Sequence, residues 1–113
     1  MKTDNHEVIF AIVNSGYAEV AMRIAREQGA RGGTILNARG VAREEEAAFF
    51  GISIHADKEI LMLVVEKGIR DNILNALYKS MGMDKKAQGI AFSLPVSDVT
   101  GLVQIPQEQK EEA

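Results

Sequence analysis

Two short stretches of this chain constrain its fold more than any motif does. In residues 8–13, VIFAIV, the side chains of Ile9, Ala11 and Val13 alternate with those of Val8, Phe10 and Ile12. In residues 60–65, ILMLVV, Leu61, Leu63 and Val65 alternate in the same way with Ile60, Met62 and Val64. Successive side chains of a strand point to opposite faces, so a strand with one wet face alternates apolar with polar. These two segments are apolar on both faces. Whatever sheet they enter must be covered on both sides.

The rest of the chain supplies cover for one side only. EVIFAIV, residues 7–13, reads as the first strand, and Asn14, Ser15 and Gly16 break it and offer a helix cap. Tyr17, Val20, Ala21, Ile24, Ala25 and Gln28 then recur at helical spacing, and Gly29 falls where a helix-ending glycine belongs. Residues 33–38 read as a second strand. Residues 39–48 are polar and aperiodic, residues 49–56 resume an apolar strand-like pattern, and EILMLVVE, residues 59–66, reads as a strand. Gly68 opens a second helix, with Ile69, Ile73, Ala76, Leu77 and Ser80 on one face and Leu74, Tyr78 and Met81 beside them. Met81 and Met83 read as gap-filling core residues. Residues 82–89 form a glycine-bounded loop, and residues 90–96 form a last strand that Pro95 assigns to an edge or end.

The order is β-α-β-β-α-β, the ferredoxin-like α+β arrangement with both helices on one face of a four-stranded antiparallel sheet. Two helices leave the second face bare, and each large side chain left in water forfeits about 1.5–3 kcal/mol of burial. An apolar patch of that kind is rare in monomers. A second copy of the same chain is the economical cover, so self-association is expected.

Composition narrows the function classes. At 113 residues there is one core and no room for a second. Thirteen basic against 16 acidic residues give a net charge of −3, which argues against a general nucleic-acid binder. The absence of cysteine removes disulfides, thiolate nucleophiles and zinc–thiolate sites. No signal peptide or membrane-length apolar run is visible, so a cytoplasmic protein is expected. No nucleophile–base constellation stands out, and an enzyme is not expected. His6 and His55 have no carboxylate at ligand spacing and do not suggest a metal site.

The segment GGTILNARGVAR, residues 32–43, resembles the stretch leading into the long T-loop of P-II (PII) signalling proteins. The family's Gly-x-Thr-Val-x-x-Val-x-Gly-x-Gly-Arg pattern is matched by Gly32, Thr34, Ile35, Ala38, Gly40 and Arg43, with Ala42 at the second loop glycine. GIAFSLPVSDV, residues 89–99, is similar to the family's last strand, which follows its nucleotide-binding B-loop. The resemblance spans about residues 7–100. It implies a trimer with ATP, ADP or AMP bound in clefts between subunits, no required cofactor, and a loop that engages a regulated protein such as a membrane transporter. On this reading residues 1–103 form the domain, with a flexible loop at about 41–57, and residues 104–113 are a mobile polar tail.

Carried onto this sequence, the resemblance places the nucleotide against Thr34, Arg39, Gly40, Val41, Ala42, Arg43, Lys58, Val64, Lys85, Lys86, Gln88 and Gly89. It places partner contacts at Glu44, Glu45, Glu46, Phe49 and Phe50. Several family positions differ. The loop is a few residues shorter and lacks a modifiable tyrosine, and Glu44 stands where a glutamine helps bind magnesium and 2-oxoglutarate. Ile90 replaces the B-loop lysine, and Gly101 and Val103 fall where two phosphate-binding arginines are expected. Two readings outside the family use the same element order. One is an amino-acid sensor of the ACT type with its ligand at the Asn14–Gly16 turn; the other is a small ferredoxin-like enzyme relying on His55.

Overall fold

The computed structural model describes residues 2–41 and 57–102. The expected strand-like run at 49–56, most of the loop and the polar tail lie outside those residues. Six elements follow in order: β1 (His6–Asn14), α1 (Ala18–Glu27), β2 (Thr34–Arg39), β3 (Asp57–Glu66), α2 (Lys67–Met81) and β4 (Ile90–Pro95). The strands form one antiparallel sheet in the order β2-β3-β1-β4. The two strands apolar on both faces, β1 and β3, are therefore its two central strands, and Pro95 ends an edge strand.

Both helices pack on the face carrying Ile9, Ala11, Val13, Leu61, Leu63 and Val65, all buried. Small residues let α1 come close: Ala18, Ala21 and Ala25 are buried there with Met22. From α2 the contact is made by Ile73, Leu77 and Met81. The helical periodicity located each helix but set its buried stripe to one side of the true one. In α1 Ala18 and Met22 are buried while Tyr17, Val20, Ile24 and Gln28 are half-buried, and in α2 the stripe runs through Met81 rather than Ile69 and Ser80. Tyr78 is 74% exposed and Met83 46% exposed, so neither belongs to the core, and Ser80 faces water. The second helix begins one residue before Gly68, directly from the end of β3.

The end of α1 is as expected. Gly29, at φ +108°, donates to Arg26 O and Ala30 donates to Ala25 O, the paired bonds of a Schellman cap. Its start is not. No side chain of the Asn14–Gly16 turn caps the helix; Glu59 reaches across from β3, and its Oε1 accepts from Gly16 N at 2.8 Å and Ala18 N at 3.1 Å. A carboxylate at a helix N-terminus satisfies free N–H groups and complements the helix dipole. Asn14 is left for another task.

One charge lies under the helices. Glu7 shares the face of Ile9 and is 5% exposed, and Arg70 of α2 reaches it with an Nη1–Oε2 distance of 2.7 Å. The hydrogen bond from Arg70 holds the Glu7 carboxyl below its ordinary value of 4.5, outweighing the opposing effect of burial. A depressed carboxylate contributes stability that is complete above 4.5 and is lost as pH falls through the lower, folded-state value. Glu7→Gln should therefore lower Tm at pH 7 and flatten its fall below pH 4.5, read by circular dichroism melts across a pH series; an unchanged acid limb would contradict this. Glu59→Ala should cost about 1 kcal/mol through loss of the cap, read by urea denaturation.

Candidate functional site

At the end of the sheet where β1 and β2 finish and β3 and β4 begin, four segments meet. Asn14, the last residue of β1, is 5% exposed and ties them together. Its backbone N donates to Ala87 O at 2.8 Å, and its Nδ2 donates to Lys86 O at 2.9 Å. A longer contact of 3.4 Å joins Nδ2 to Gln88 Oε1. On the other side, Lys58 Nζ donates to Asn14 Oδ1 at 2.6 Å. Next along the chain, Ser15 N donates to Asp57 O at 3.1 Å.

Lys58 is held from below as well. A Cβ at Gly40 would lie 2.9 Å from Lys58 Cε and 3.1 Å from its Cγ, so the lysine stem crosses the space that glycine leaves open. Burial of this stem and its head lowers the ammonium pKa from the ordinary lysine value. The acceptor described for it is a neutral amide, which compensates a charge less well than a carboxylate does.

The loop between α2 and β4 is anchored on the helix it leaves. Gly89 N donates to Met81 O at 2.7 Å, and any Cβ at Gly89 would collide with that same carbonyl. Gln88 takes φ +47°, which L-residues avoid, and its N–H is bonded to Lys85 O at 3.0 Å. Lys85 and Lys86 are exposed, with Lys85 Nζ 3.9 Å from Asp84 Oδ2.

Of the nucleotide-binding residues expected from sequence, this end gathers Gly40, Lys58, Lys86, Gln88 and Gly89, with Lys85 beside them. Val41 is exposed next to Gly40, while Ala42 and Arg43 lie outside the described residues, as do Glu44, Glu45, Glu46, Phe49, Phe50 and His55. Arg39 pairs with Asp57 in a register that alternates away from Lys58, toward the helix side. Thr34 and Val64 are on the open face but far along it. Val64 is six positions from Lys58, roughly 20 Å at about 3.4 Å per residue, and Thr34 pairs with Met62. One chain thus carries two separate groups of expected contacts. Asn14, expected as a cap or as part of an ACT-type ligand turn, was not expected beside Lys58, since a polar residue ending an apolar strand reads first as a cap.

The open face runs between the two groups. Val8, Phe10 and Ile12 lie beside Ile60, Met62 and Val64 and beside Ile90, Phe92 and Leu94 by register. Phe10 and Phe92 stack with ring centroids 5.4 Å apart. The last strand remains wet, with Ile90 52%, Phe92 42% and Leu94 50% exposed. On the far edge β2 exposes Leu36 on this face and Ile35 on the other.

The element order, the sheet order and the one-sided helix layer define a ferredoxin-like α+β domain. Within that class the fold is the one found in PII and PII-like signalling proteins. PII of Arabidopsis thaliana bound to citrate aligns with a TM-score of 0.65 and 22% identity, over 88% of this chain and 82% of that one. A putative PII-like signalling protein from Thermus thermophilus aligns at 0.66 and 20%, over 88% and 94%. CPII, a nitrogen regulatory PII-like protein from Thiomonas intermedia bound to ADP, AMP and bicarbonate, aligns at 0.64 and 12%, over 86% and 96%. No family model and no curated protein matches the sequence.

Closure of the loop onto α2 makes a direct prediction. Gly89→Ala forces the loop off Met81 O and should cost about 1–3 kcal/mol, the usual range for overpacking, measured by denaturant unfolding. A neutral substitution would mean that the loop is not fixed there.

Proposed function

We propose that this chain is a divergent PII-like signalling protein of the cytoplasm that works as a homotrimer and senses an adenine nucleotide between its subunits. The observation that carries the proposal is the uncovered apolar face, which separates two half-sets of ligand contacts. Copies packed through that face bring the Lys58 end of one subunit near the Thr34–Val64 edge of another. The nucleotide then lies against Thr34, residues 40–43, Lys58, Val64, and Lys85, Lys86, Gln88 and Gly89. Nucleotide occupancy selects between conformations of residues 41–57, which touch the regulated protein through Glu44, Glu45, Glu46, Phe49 and Phe50. A membrane transporter is the partner class we assign.

Two features of the site favour this reading over a sensor of the ACT type. The turn at Asn14–Gly16 has its Gly16 N–H taken by Glu59 and its Asn14 amide taken by Lys86 and Lys58. Two exposed cations, Lys85 and Lys86, by contrast lie on the loop before β4. Ile90, Gly101 and Val103 remove family cations, so ADP and AMP fit the remaining charge better than ATP. The neighbour bound to ADP and AMP supports that choice by analogy.

Light scattering coupled to size exclusion, with calorimetric titration of ADP, tests this reading. A trimer is expected, Phe92→Asp should dissociate it, and Lys58→Met should weaken ADP binding by about tenfold or more, the worth of one charge-assisted hydrogen bond. A stable, well-folded monomer at micromolar concentration would overturn the assembly and the cleft with it. A trimer indifferent to ADP and AMP would remove the nucleotide.

A further inference from the structure

We propose that Asn14 is a positioning residue of the Lys58 site: its side-chain amide holds the lysine ammonium, the Lys86 carbonyl and the Gln88 side chain in one network, so an anion that draws Lys58 away also loosens the loop. The inference rests on the anion-binding reading above and adds to it a route by which occupancy is transmitted.

The amide has no freedom in which way it points. Nδ2 must face the Lys86 carbonyl and Oδ1 must face the Lys58 ammonium, because the flipped amide would set donor against donor and carbonyl against carbonyl. Each partner therefore fixes Asn14 for the other. An almost fully buried amide that loses one partner leaves a polar atom unpaired, which the structure resists or relieves by rotation. Rotation moves Nδ2 off Lys86 O and away from Gln88 Oε1.

Lys58 has reason to leave. Its head is partly desolvated and bonded to a neutral oxygen, whereas a phosphate or carboxylate oxygen offers a charge-assisted bond. The loop, in turn, is poised to respond. Gln88 sits at φ +47°, an unfavourable setting kept by its surroundings; the Asn14 side chain supplies two of those contacts, through Lys86 O and Gln88 Oε1, beside the backbone bond from Asn14 N to Ala87 O. Among charged groups of the neighbouring elements, Asp57 and Glu59 flank Lys58 in sequence and alternate to the opposite face, where Glu59 is engaged by α1. The exchange of Lys58 between Asn14 and a ligand thus couples two segments through a single amide, and such coupling is reciprocal.

The test compares wild type with Asn14→Asp, Asn14→Ala and Lys58→Met, using ADP calorimetry and amide hydrogen exchange without ligand. Asn14→Asp replaces the weak acceptor with a carboxylate that keeps Lys58. It should still fold, at a lower Tm because its second oxygen faces Lys86 O in place of Nδ2, and bind ADP about tenfold or more weakly. The Asn14→Asp/Lys58→Met double variant should bind no worse than Lys58→Met alone. Without ligand, Asn14→Ala and Lys58→Met should both speed exchange at Gln88 and Gly89 several-fold while the β1–β3 amides stay protected. Wild-type ADP affinity in Asn14→Asp would overturn the proposal. If the wild-type chain binds no ADP, the nucleotide reading fails by itself, and the exchange data still decide: unchanged protection at Gln88 and Gly89 in Lys58→Met overturns the role of Asn14.

Discussion

The structure depends on a sheet that is apolar through its full thickness at the centre. β1 and β3 cannot expose either face without losing burial at several large side chains, each worth about 1.5–3 kcal/mol. The two helices cover one face, and the alanine-rich contact of α1 brings it close. The other face keeps partial cover from its own neighbours, as in the Phe10–Phe92 stack, and remains open along β4 and β2. Total stability of a domain this size is a small difference of large terms, so an exposed stripe of this kind is a substantial fraction of it. On the proposed reading, association completes the sheet, and the ligand assignment rests on that association.

The same constraint explains where polar chemistry sits. With the central faces committed to apolar packing, charge and hydrogen-bonding groups collect at the ends of the sheet. At one end Glu7 and Arg70 form a pair that ties β1 to α2. At the other, Asn14, Lys58 and residues 86–88 form a network that joins β1, β3 and the loop before β4. The first pair is closed by mutual charge. The second, among the described residues, matches an ammonium to a neutral amide, and on the proposed reading that mismatch is where an anion competes.

Much of the fold was legible because it is written in periodicity. The two-sided apolar strands, the existence of α1, Gly29 at its end and Pro95 at an edge all follow from local rules that tertiary structure did not override, whereas the face that α1 buries was set by the sheet it packs on, through Ala18 and Met22. The misses are positions where a contact comes from far along the chain. Nothing near Asn14 distinguishes a cap residue from one held by Lys58 and Lys86, 44 and 72 residues away. Glu59 as the cap of α1 is equally remote, 43 residues from Gly16. Glu7 did carry a signal: it falls in phase with Ile9, Ala11 and Val13, and a charge on the core face requires a partner. Tyr78 and Met83 mark the opposite failure: apolar character does not by itself mean burial, and isolated exposed apolar residues are ordinary.

Register also corrects how the expected ligand residues are grouped. Sequence proximity sets Arg39 beside Gly40 and Lys58, but alternation turns it to the helix side, opposite Asp57. Among the described residues, the positive charge facing the open end then comes from Lys58, with Lys85 and Lys86 at its margin. On the proposed reading this is a sparse set for a triphosphate, since each phosphate oxygen left without a donor must keep its water. A ligand of lower charge, placed so that its anionic group competes with Asn14 for Lys58, uses what the site has. Selectivity would then arise less from the number of cations than from whether the anion can reach a half-buried ammonium across the edge of Gly40, where any larger residue would displace the lysine stem.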